Sequence, residues 1–296
     1  MDIEDKKKKV SYSQFSKWYS CARRFYWDKV MKKEIKDSNL NTCFGTAIHE
    51  AIQEYIKKLY TEGATFADSL DLNKMFKEAF DREIAKDNVK SESEEYSAFV
   101  MDAVDILRTF VHSPNRTKHF PTGKYEFIDV ELEIEQNILN NVSFIAYIDL
   151  VLKDKSTGRI KIVDIKTSTN GWNKWQKEDN SKLYQLLLYK LFYAKKFQVD
   201  PKNIDIEFFI LKRKLMENVS FPQSRIQIVK PKDDKREMIK CSDLFVDFIK
   251  DCFDSEGKHK TDINIYPRNP GKAKKNCKYC SHHKTLCDGK SDVDDD

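Results

Sequence analysis

Apolar residues recur at helical spacing through the first third of the chain. Ser13 is expected to cap a first helix whose apolar face is formed by Phe15, Trp18, Tyr19, Ala22, Phe25 and Tyr26. The same period returns over residues 42–60, and further amphipathic helices are predicted near residues 70–85 and 94–111. Residues 112–123, with two prolines and a glycine, are predicted to break this helical run.

The middle of the chain is instead rich in β-branched and aromatic residues. Residues 124–138, 142–153 and 159–167 are predicted to be strands, and the turns between them indicate a meander of hairpins. A helix over 181–197, strands over 205–213 and 224–230, and a helix over 233–253 complete the pattern. This order predicts a mixed α/β domain with a small Cys-rich end.

The composition of the 296 residues suits an intracellular globular protein. The chain is 40% hydrophobic and 34% charged, and its net charge of +5 permits nucleic-acid binding without requiring it. No apolar run approaches the ~20 residues of a membrane span, and the first residues lack a secretory signal. We therefore expect a cytoplasmic protein (host cytoplasm if viral), in which seven cysteines do not form a disulfide framework.

Charged residues interrupt two strands whose other residues predict burial. Asp164 and Lys166 lie two positions apart and share a face, and a hairpin would bring Asp149 of the preceding strand beside Asp164. Two neighbouring carboxylates repel unless a cation separates them, and Mg²⁺ or Mn²⁺ prefers oxygen ligands. Lys166 would then polarise a water and stabilise developing negative charge. This predicts metal-assisted phosphodiester hydrolysis; the alternative is a structural salt bridge between Asp164 and Lys166.

In this order the segments resemble the RecB/Cas4-like branch of the PD-(D/E)XK nuclease superfamily. The resemblance spans about residues 11–287 and rests on "YSQFSKWYSCARRFYW", "FGTAIHEAI", "YEFIDVELEIE", "AYIDLVL", "IVDIKTS" and "YQLLLY". It implies a restriction-endonuclease-like core, in which helices flank a central mixed sheet. One integrated nuclease domain would comprise a helical N-terminal part (1–120), the core (121–256) and a Cys-rich clip with an acidic tail (257–296).

The resemblance also implies roles for particular residues. The catalytic set would be His49, Asp149, Asp164, Lys166, Gln185 and Tyr189. The metal ligands among them would be His49, Asp149 and Asp164. Glu131 best matches the family's glutamate ahead of the core. The alternatives are a core or capping histidine, a packed aromatic helix, and a solvated glutamate.

The chain departs from the family pattern at three positions. Ala146 replaces a glycine, Ala22 replaces a proline, and Asp164 replaces the commoner glutamate. None of these changes removes a catalytic atom, so a catalytically inactive binding module is disfavoured.

Three cysteines crowd into the C-terminal end with C-x2-C-x6-C spacing, which suits metal chelation: Cys277, Cys280 and Cys287. The resemblance implies that Cys21 joins them to hold a [4Fe-4S] cluster, although the family's last gap is usually one residue shorter. Zinc is the rival, because His282 and His283 can complete a tetrahedral site, and free thiols are a third alternative. Three further cysteines are expected in the core: Cys43, Cys241 and Cys252.

Basic and aromatic residues around the predicted site suit single-stranded DNA. The basic set is Arg23, Arg24, Lys174, Lys177, Lys182, Lys212, Arg213 and Lys214. Trp172 and Trp175 follow the Asp-x-Lys strand, and they would either stack on bases or pack into the protein. Residues 292–296 are predicted to be a disordered acidic tail.

These observations predict a metal-dependent DNA exonuclease that acts on single-stranded or frayed ends in recombination, repair or replication. The alternatives are a Cas4-like DNA-trimming factor and a non-catalytic DNA-binding or assembly subunit. The sequence has no P-loop, so any unwinding would come from a helicase or recombination partner. The Lys- and Phe-rich composition suits a phage or an AT-rich genome.

Overall fold

A mixed six-stranded sheet lies at the centre of the protein, and helices cover both of its faces. The structure is a computed structural model that describes residues 7–35, 38–278, 280–283 and 285–287. The strands are β1 (Lys8–Val10), β2 (Tyr125–Leu139), β3 (Val142–Asp154), β4 (Ile160–Ser168), β5 (Ile204–Lys212) and β6 (Ile226–Val229). The α-helices are α1 (Tyr12–Ser20), α2 (Ala22–Phe25), α3 (Leu40–Thr61), α4 (Ala64–Asp68), α5 (Leu72–Asp87), α6 (Ser93–Val111), α7 (Ser113–His119), α8 (Lys174–Lys177), α9 (Asn180–Phe197), α10 (Lys235–Cys252) and α11 (Lys275–Lys278). A π-helix (Tyr26–Val30) and 3₁₀ turns (Pro201–Asn203, Ile263–Ile265, Lys272–Lys274) complete the elements.

Strand β3 organises the sheet, and its two edges differ. Along one edge β2 pairs with it in antiparallel fashion over almost its whole length. On the other edge, β1 pairs only with residues 142–144 and β4 only with residues 150–153. Strand β4 continues beyond that point beside β5, to which it is parallel through Ser168. The described strands therefore leave a gap on this edge of β3, at residues 145–149, where β3 and β4 diverge.

The two faces of the sheet carry separate hydrophobic cores. On one face, Ile148 and Ile162 pack with aromatic residues of α1, α9 and α10, such as Phe15 and Phe245. On the other face, Val163 and neighbouring strand residues pack with α3, α5 and α6. This arrangement confirms the predicted α/β class with a central mixed sheet flanked by helices.

The local structure differs from the sequence analysis at three places. The N-cap position of the first helix is Ser11 rather than Ser13, without a side-chain capping hydrogen bond, and the helix breaks at Cys21, whose backbone is extended (φ −161°, ψ 106°). The helical run breaks after Val111 as predicted, and residues 113–119 form the separate short helix α7, with Pro114 in its first turn, where a missing N–H costs nothing. Strand β1 was not predicted, because three residues are too few to establish a period of two.

No helix among the described residues is long and apolar enough to cross a membrane. The predicted acidic tail at residues 292–296 lies outside the described residues.

Candidate active site

The gap between β3 and β4 is filled by the carboxylate of Asp149. Its Oδ2 accepts a hydrogen bond of 2.6 Å from the backbone N–H of Ile165. On the N-terminal side of Leu150, the main chain of β3 no longer pairs with β4. The side chain of Asp149 therefore supplies the hydrogen-bond acceptor that the main chain of β3 does not provide. Asp149 is 9% exposed, and burial raises its pKa to about 6 although Lys166 opposes this shift.

Asp164 and Lys166 lie beside this carboxylate, as the strand spacing predicts. Lys166 Nζ is 2.7 Å from Asp164 Oδ2, but the oxygen has no hydrogen-bond donor in suitable geometry among the described groups. Asp164 is 1% exposed; burial raises its pKa to about 6, against the opposing charge of Lys166 and with repulsion from Asp149. Burial alone would lower the pKa of Lys166, but the two carboxylates outweigh it and raise that pKa. The site thus contains two buried acids and one ammonium.

Helix α3 brings His49 over the same gap. A Cβ added at Gly45 would lie 3.1 Å from Thr167 Oγ1, so this glycine lets α3 pack closely against β4. His49, one turn further along, places Nδ1 3.7 Å from Asp149 Oδ2. Burial and the positive charge of Lys166 lower the pKa of His49 to about 4, so the imidazole is neutral at pH 7. A neutral imidazole is the form that binds a metal.

Gln53, a further turn along α3, was not singled out from the sequence. Its Nε2 donates to Glu131 Oε1 at 2.5 Å and to the backbone oxygen of Asp149 at 3.4 Å. Glu131 lies opposite Asp149, and its φ of 51° is a left-handed conformation that costs about 1–2 kcal/mol in a residue other than glycine. The signal that would have found Gln53 is its four-residue spacing from His49, which puts both residues on one helix face.

Helix α9 bounds the site on the opposite face of the sheet, where it packs in the core with α1 and α10. Gln185 Nε2 donates to the hydroxyl of Tyr189 at 2.8 Å, so the two predicted residues form one unit. Tyr189 is 6% exposed, and burial together with the negative charges of Asp164 and Asp149 raises its pKa. The structure therefore brings all six sequence-predicted residues to one region.

The family is decided by the match of residues 9–288 to the PD-(D/E)XK nuclease superfamily. The chain belongs to this superfamily. The resemblance drawn from the sequence is thereby confirmed, and the protein is a nuclease. A solved structure from Eubacterium rectale, described as a candidate exonuclease, is 10% identical, with a TM-score of 0.48 over 83% of this chain and 80% of that chain. No curated protein matches the chain.

The side chains of this nuclease offer the donors of a divalent cation but are not arranged as a finished metal site. Among the described residues, no group of three or more His, Cys, Asp or Glu side chains could hold a metal ion as placed. The donor set nevertheless fits Mg²⁺ or Mn²⁺, because two buried carboxylates with raised pKa values share a single ammonium group, which leaves one negative charge without a partner among the described residues.

The four cysteines of the predicted clip line one small cavity. The break at Cys21 turns this residue toward the C-terminal segment, where its Sγ accepts a hydrogen bond of 3.4 Å from the Asn269 N–H. Other cavity-lining residues include Cys277, Cys280, Cys287, His282 and His283. The described residues show no group that would bind an iron–sulfur cluster. The other three cysteines are buried in the cores, as predicted.

The basic and aromatic residues predicted near the site are divided between several places. Trp172 packs down against Phe208 at 4.8 Å between ring centroids, whereas Trp175 on α8 is 77% exposed. Arg213 and Lys214 are both paired with Asp102 of α6. Arg23 and Arg24 line the thiol cavity instead of the nuclease site.

Proposed function

We propose that the protein is a metal-dependent deoxyribonuclease, an exonuclease that hydrolyses single-stranded or frayed DNA ends during recombination, repair or replication. The observation that supports this proposal most is the convergence of Asp149, Asp164 and Lys166 in the gap between β3 and β4, with His49 above them. Two buried acids beside one lysine are costly unless a ligand completes the site.

Mg²⁺ or Mn²⁺ would be held by Asp149, Asp164 and the neutral imidazole of His49. Bound there, the ion would supply a Lewis acid for the phosphate and a more acidic water. In the absence of metal, Lys166 compensates part of the charge of Asp164, since Nζ is 2.7 Å from Oδ2. The same ammonium is positioned to orient the attacking water and to stabilise negative charge on the phosphate.

Two supporting roles follow from the contacts. The Gln185–Tyr189 unit adjoins the acids, where it would orient Lys166 or contact the DNA backbone. Gln53 donates to both Glu131 and the main chain of Asp149, so it would fix the position of the Asp149 carboxylate between β3 and β4.

A preference for single-stranded ends is supported by helix α8, which follows the Asp-x-Lys strand. The ring of Trp175 is exposed between Lys174 and Lys177, and α8 is fixed by a capping box of Asn173 and Gln176. An exposed ring flanked by ammonium groups offers a stacking surface for bases and charges for phosphates.

Digestion of end-labelled linear and circular single-stranded DNA with Mg²⁺ or Mn²⁺ tests the proposal. We expect degradation of the linear DNA, resistance of the circle, and no cleavage by Asp149→Ala or Lys166→Ala. Lys153→Ala, at an exposed position of the same strand, is the matched control and should retain activity. Equal cleavage by the wild type and both site variants would refute the site. Cutting of the circle would refute the exonuclease assignment alone.

Other outcomes distinguish the remaining functions. DNA binding without any metal-dependent cleavage would identify a non-catalytic assembly subunit. Cleavage confined to short overhangs would favour a Cas4-like trimming factor. The cofactor of the cysteine cavity, [4Fe-4S] or zinc, is separate from these outcomes.

A further inference from the structure

A cavity of about 270 Å³ opens at the end of strand β4, beside the nuclease site. Its volume is close to the lower limit of about 300 Å³ for small-ligand sites. It lies on the face of the sheet that α3 covers, from which His49 also reaches the gap. On β4 it begins at Thr167, the residue after Lys166. The lining residues are Asn41, Phe44, Thr167, Ser168, Thr169 and Arg213.

The cavity is close enough to the catalytic residues to receive part of the same DNA strand. On α3, Asn41 precedes His49 by two turns, about 12 Å along the helix axis. On β4, Ser168 follows Lys166 at about 7 Å along the strand. A strand whose scissile phosphate lies between Asp149 and Lys166 would therefore reach the cavity with a neighbouring nucleotide.

Arg213 gives the cavity a fixed cationic group. Its guanidinium lies 4.0 Å from the centroid of the Phe99 ring, and its Nη1 donates to Asp102 at 3.3 Å. Lys214 Nζ donates to the same carboxylate at 2.7 Å, so one acid is paired with two cations. Nε and Nη2 of Arg213 donate to no other residue in the described part of the chain. A stacked guanidinium with N–H groups to spare is well suited to a phosphate.

The other polar lining residues differ in whether their side chains are already engaged. Ser168 Oγ donates to a backbone oxygen of the following turn at 3.2 Å, and Thr167 Oγ1 faces Gly45 across the contact with α3. The amide of Asn41 and the hydroxyl of Thr169 make no hydrogen bond to another described residue. The donors left for a ligand are thus one guanidinium, one amide and one hydroxyl, a set that recognises an oxyanion.

We propose that this cavity binds one phosphate group of the DNA substrate, next to the scissile phosphate, through Arg213, the Asn41 amide and the Thr169 hydroxyl. The proposal rests on the deoxyribonuclease function proposed above. An internal phosphodiester and a terminal phosphate present the same oxygens to these donors. Bound there, the phosphate would set the register of the strand and so determine which linkage lies over the two acids.

Substituting Asn41→Asp tests the subsite by placing a carboxylate in the cavity. The fold should tolerate it, because an acid is favourable in the first turn of a helix and α3 has none there. We expect KM for single-stranded DNA to rise at least about tenfold, from repulsion between like charges, while kcat stays unchanged. Asn73→Asp is the matched control. It makes the same charge change at an exposed second residue of a helix, α5, outside the cavity, and should leave KM unchanged.

The salt dependence of DNA binding tests the guanidinium separately. Arg213→Gln should reduce the slope of log Kd against log salt concentration by about 1, as loss of one phosphate contact does. Arg108→Gln removes the same charge from the exposed surface of α6, where Arg108 pairs with Asp105, and should keep the slope. Both are measured by fluorescence anisotropy in EDTA, so that no DNA is cleaved.

Modified DNA identifies which phosphate the cavity holds. Strands of one sequence are compared with and without terminal phosphates, and with one neutral methylphosphonate at the linkage next to the scissile one. Weaker binding only without the terminal phosphate identifies an end phosphate, and weaker binding only with the methylphosphonate identifies an internal phosphodiester. In either case the modification should have no further effect on Asn41→Asp, whose cavity no longer accepts the group.

Two results would overturn the subsite and leave the nuclease function intact, provided that the wild type cleaves unmodified DNA. One is an Asn41→Asp variant with the KM and Kd of the wild type. The other is a wild type that binds every modified strand as tightly as the unmodified one. A wild type that cleaves no DNA refutes the proposed function instead, and the anisotropy measurements in EDTA then decide the subsite. A wild type that also binds none of these strands overturns both.

Discussion

Replacing Asp149 by asparagine should abolish nuclease activity and yet stabilise the metal-free protein. The amide keeps an oxygen for the Ile165 N–H, which now donates to Asp149 Oδ2 at 2.6 Å, while the substitution removes one of two neighbouring buried charges. Asp149 is a better choice than Asp164 for this experiment. Asp164 is paired with Lys166 at 2.7 Å, and its loss would leave a partly buried ammonium without this partner.

The expected gain follows from the pKa of Asp149. Burial raises it to about 6, while the unfolded chain has a pKa near ~3.9. The folded state therefore binds this proton more tightly, so stability falls as the pH rises from about 4 to about 6 and remains lower above that window. This pKa difference of about two units means that the ionised Asp149 carboxylate lowers the free energy of unfolding by about 3 kcal/mol at pH 8. In a chain of this length that is a rise of about 5 °C in Tm.

Thermal or urea denaturation in EDTA, repeated between pH 4 and pH 8, measures this effect. Asp149→Asn should exceed the wild type in Tm at pH 8, and the difference should shrink toward pH 4. Asp154→Asn is a control of opposite sign, because hydrogen bonds from Ser156 and Thr157 lower the pKa of Asp154. If the Asp149→Asn variant is no more stable than the wild type at pH 8, the Asp149 carboxylate is not under electrostatic strain.

Three further predictions concern the lysine, the helix contact and the exposed tryptophan. Lys166→Met should lower kcat by about 10²–10³-fold while divalent-metal binding, measured by calorimetry, persists; unchanged kcat would refute its role. Gly45→Ala should reduce cleavage because its Cβ would lie 3.1 Å from Thr167 Oγ1, and Thr167→Ala should restore activity in the double variant unless the contact is irrelevant. Trp175→Ala should weaken single-stranded DNA binding by about 1–3 kcal/mol in fluorescence titrations, with blunt duplex binding unaffected; equal losses for both DNAs would argue against base stacking.

The sequence was informative where a local pattern fixes the outcome. Alternation along β4 places Asp164 and Lys166 on one face whatever the rest of the fold, and the short turn to β3 forces Asp149 into the neighbouring strand. Helical spacing likewise predicted α3, and the family resemblance identified His49 on it. These features depend on residues close together in the chain.

Features that depend on distant residues could not be predicted. The gap at residues 145–149 of β3 exists because β1 and β4 pair with different parts of the same edge. The left-handed backbone of Glu131 is held by Gln53, 78 residues away, and no local pattern marks a glutamate for that conformation. The break at Cys21 replaced a helix that spacing alone would continue, because hydrophobic period does not reveal where a backbone turns extended.

The departures from regular structure argue against the simplest alternative for the strand pair, a structural salt bridge. A salt bridge needs one acid for one lysine, but here Asp149 remains beside the pair with a pKa raised to about 6. The left-handed backbone of Glu131 lies beside the stretch of β3 that pairs with neither β1 nor β4 in the described part of the chain. Each of these features costs stability in the metal-free protein. Strain persists where the surrounding structure enforces it, and it clusters at functional sites. A structural ion pair does not account for their coincidence with Asp149.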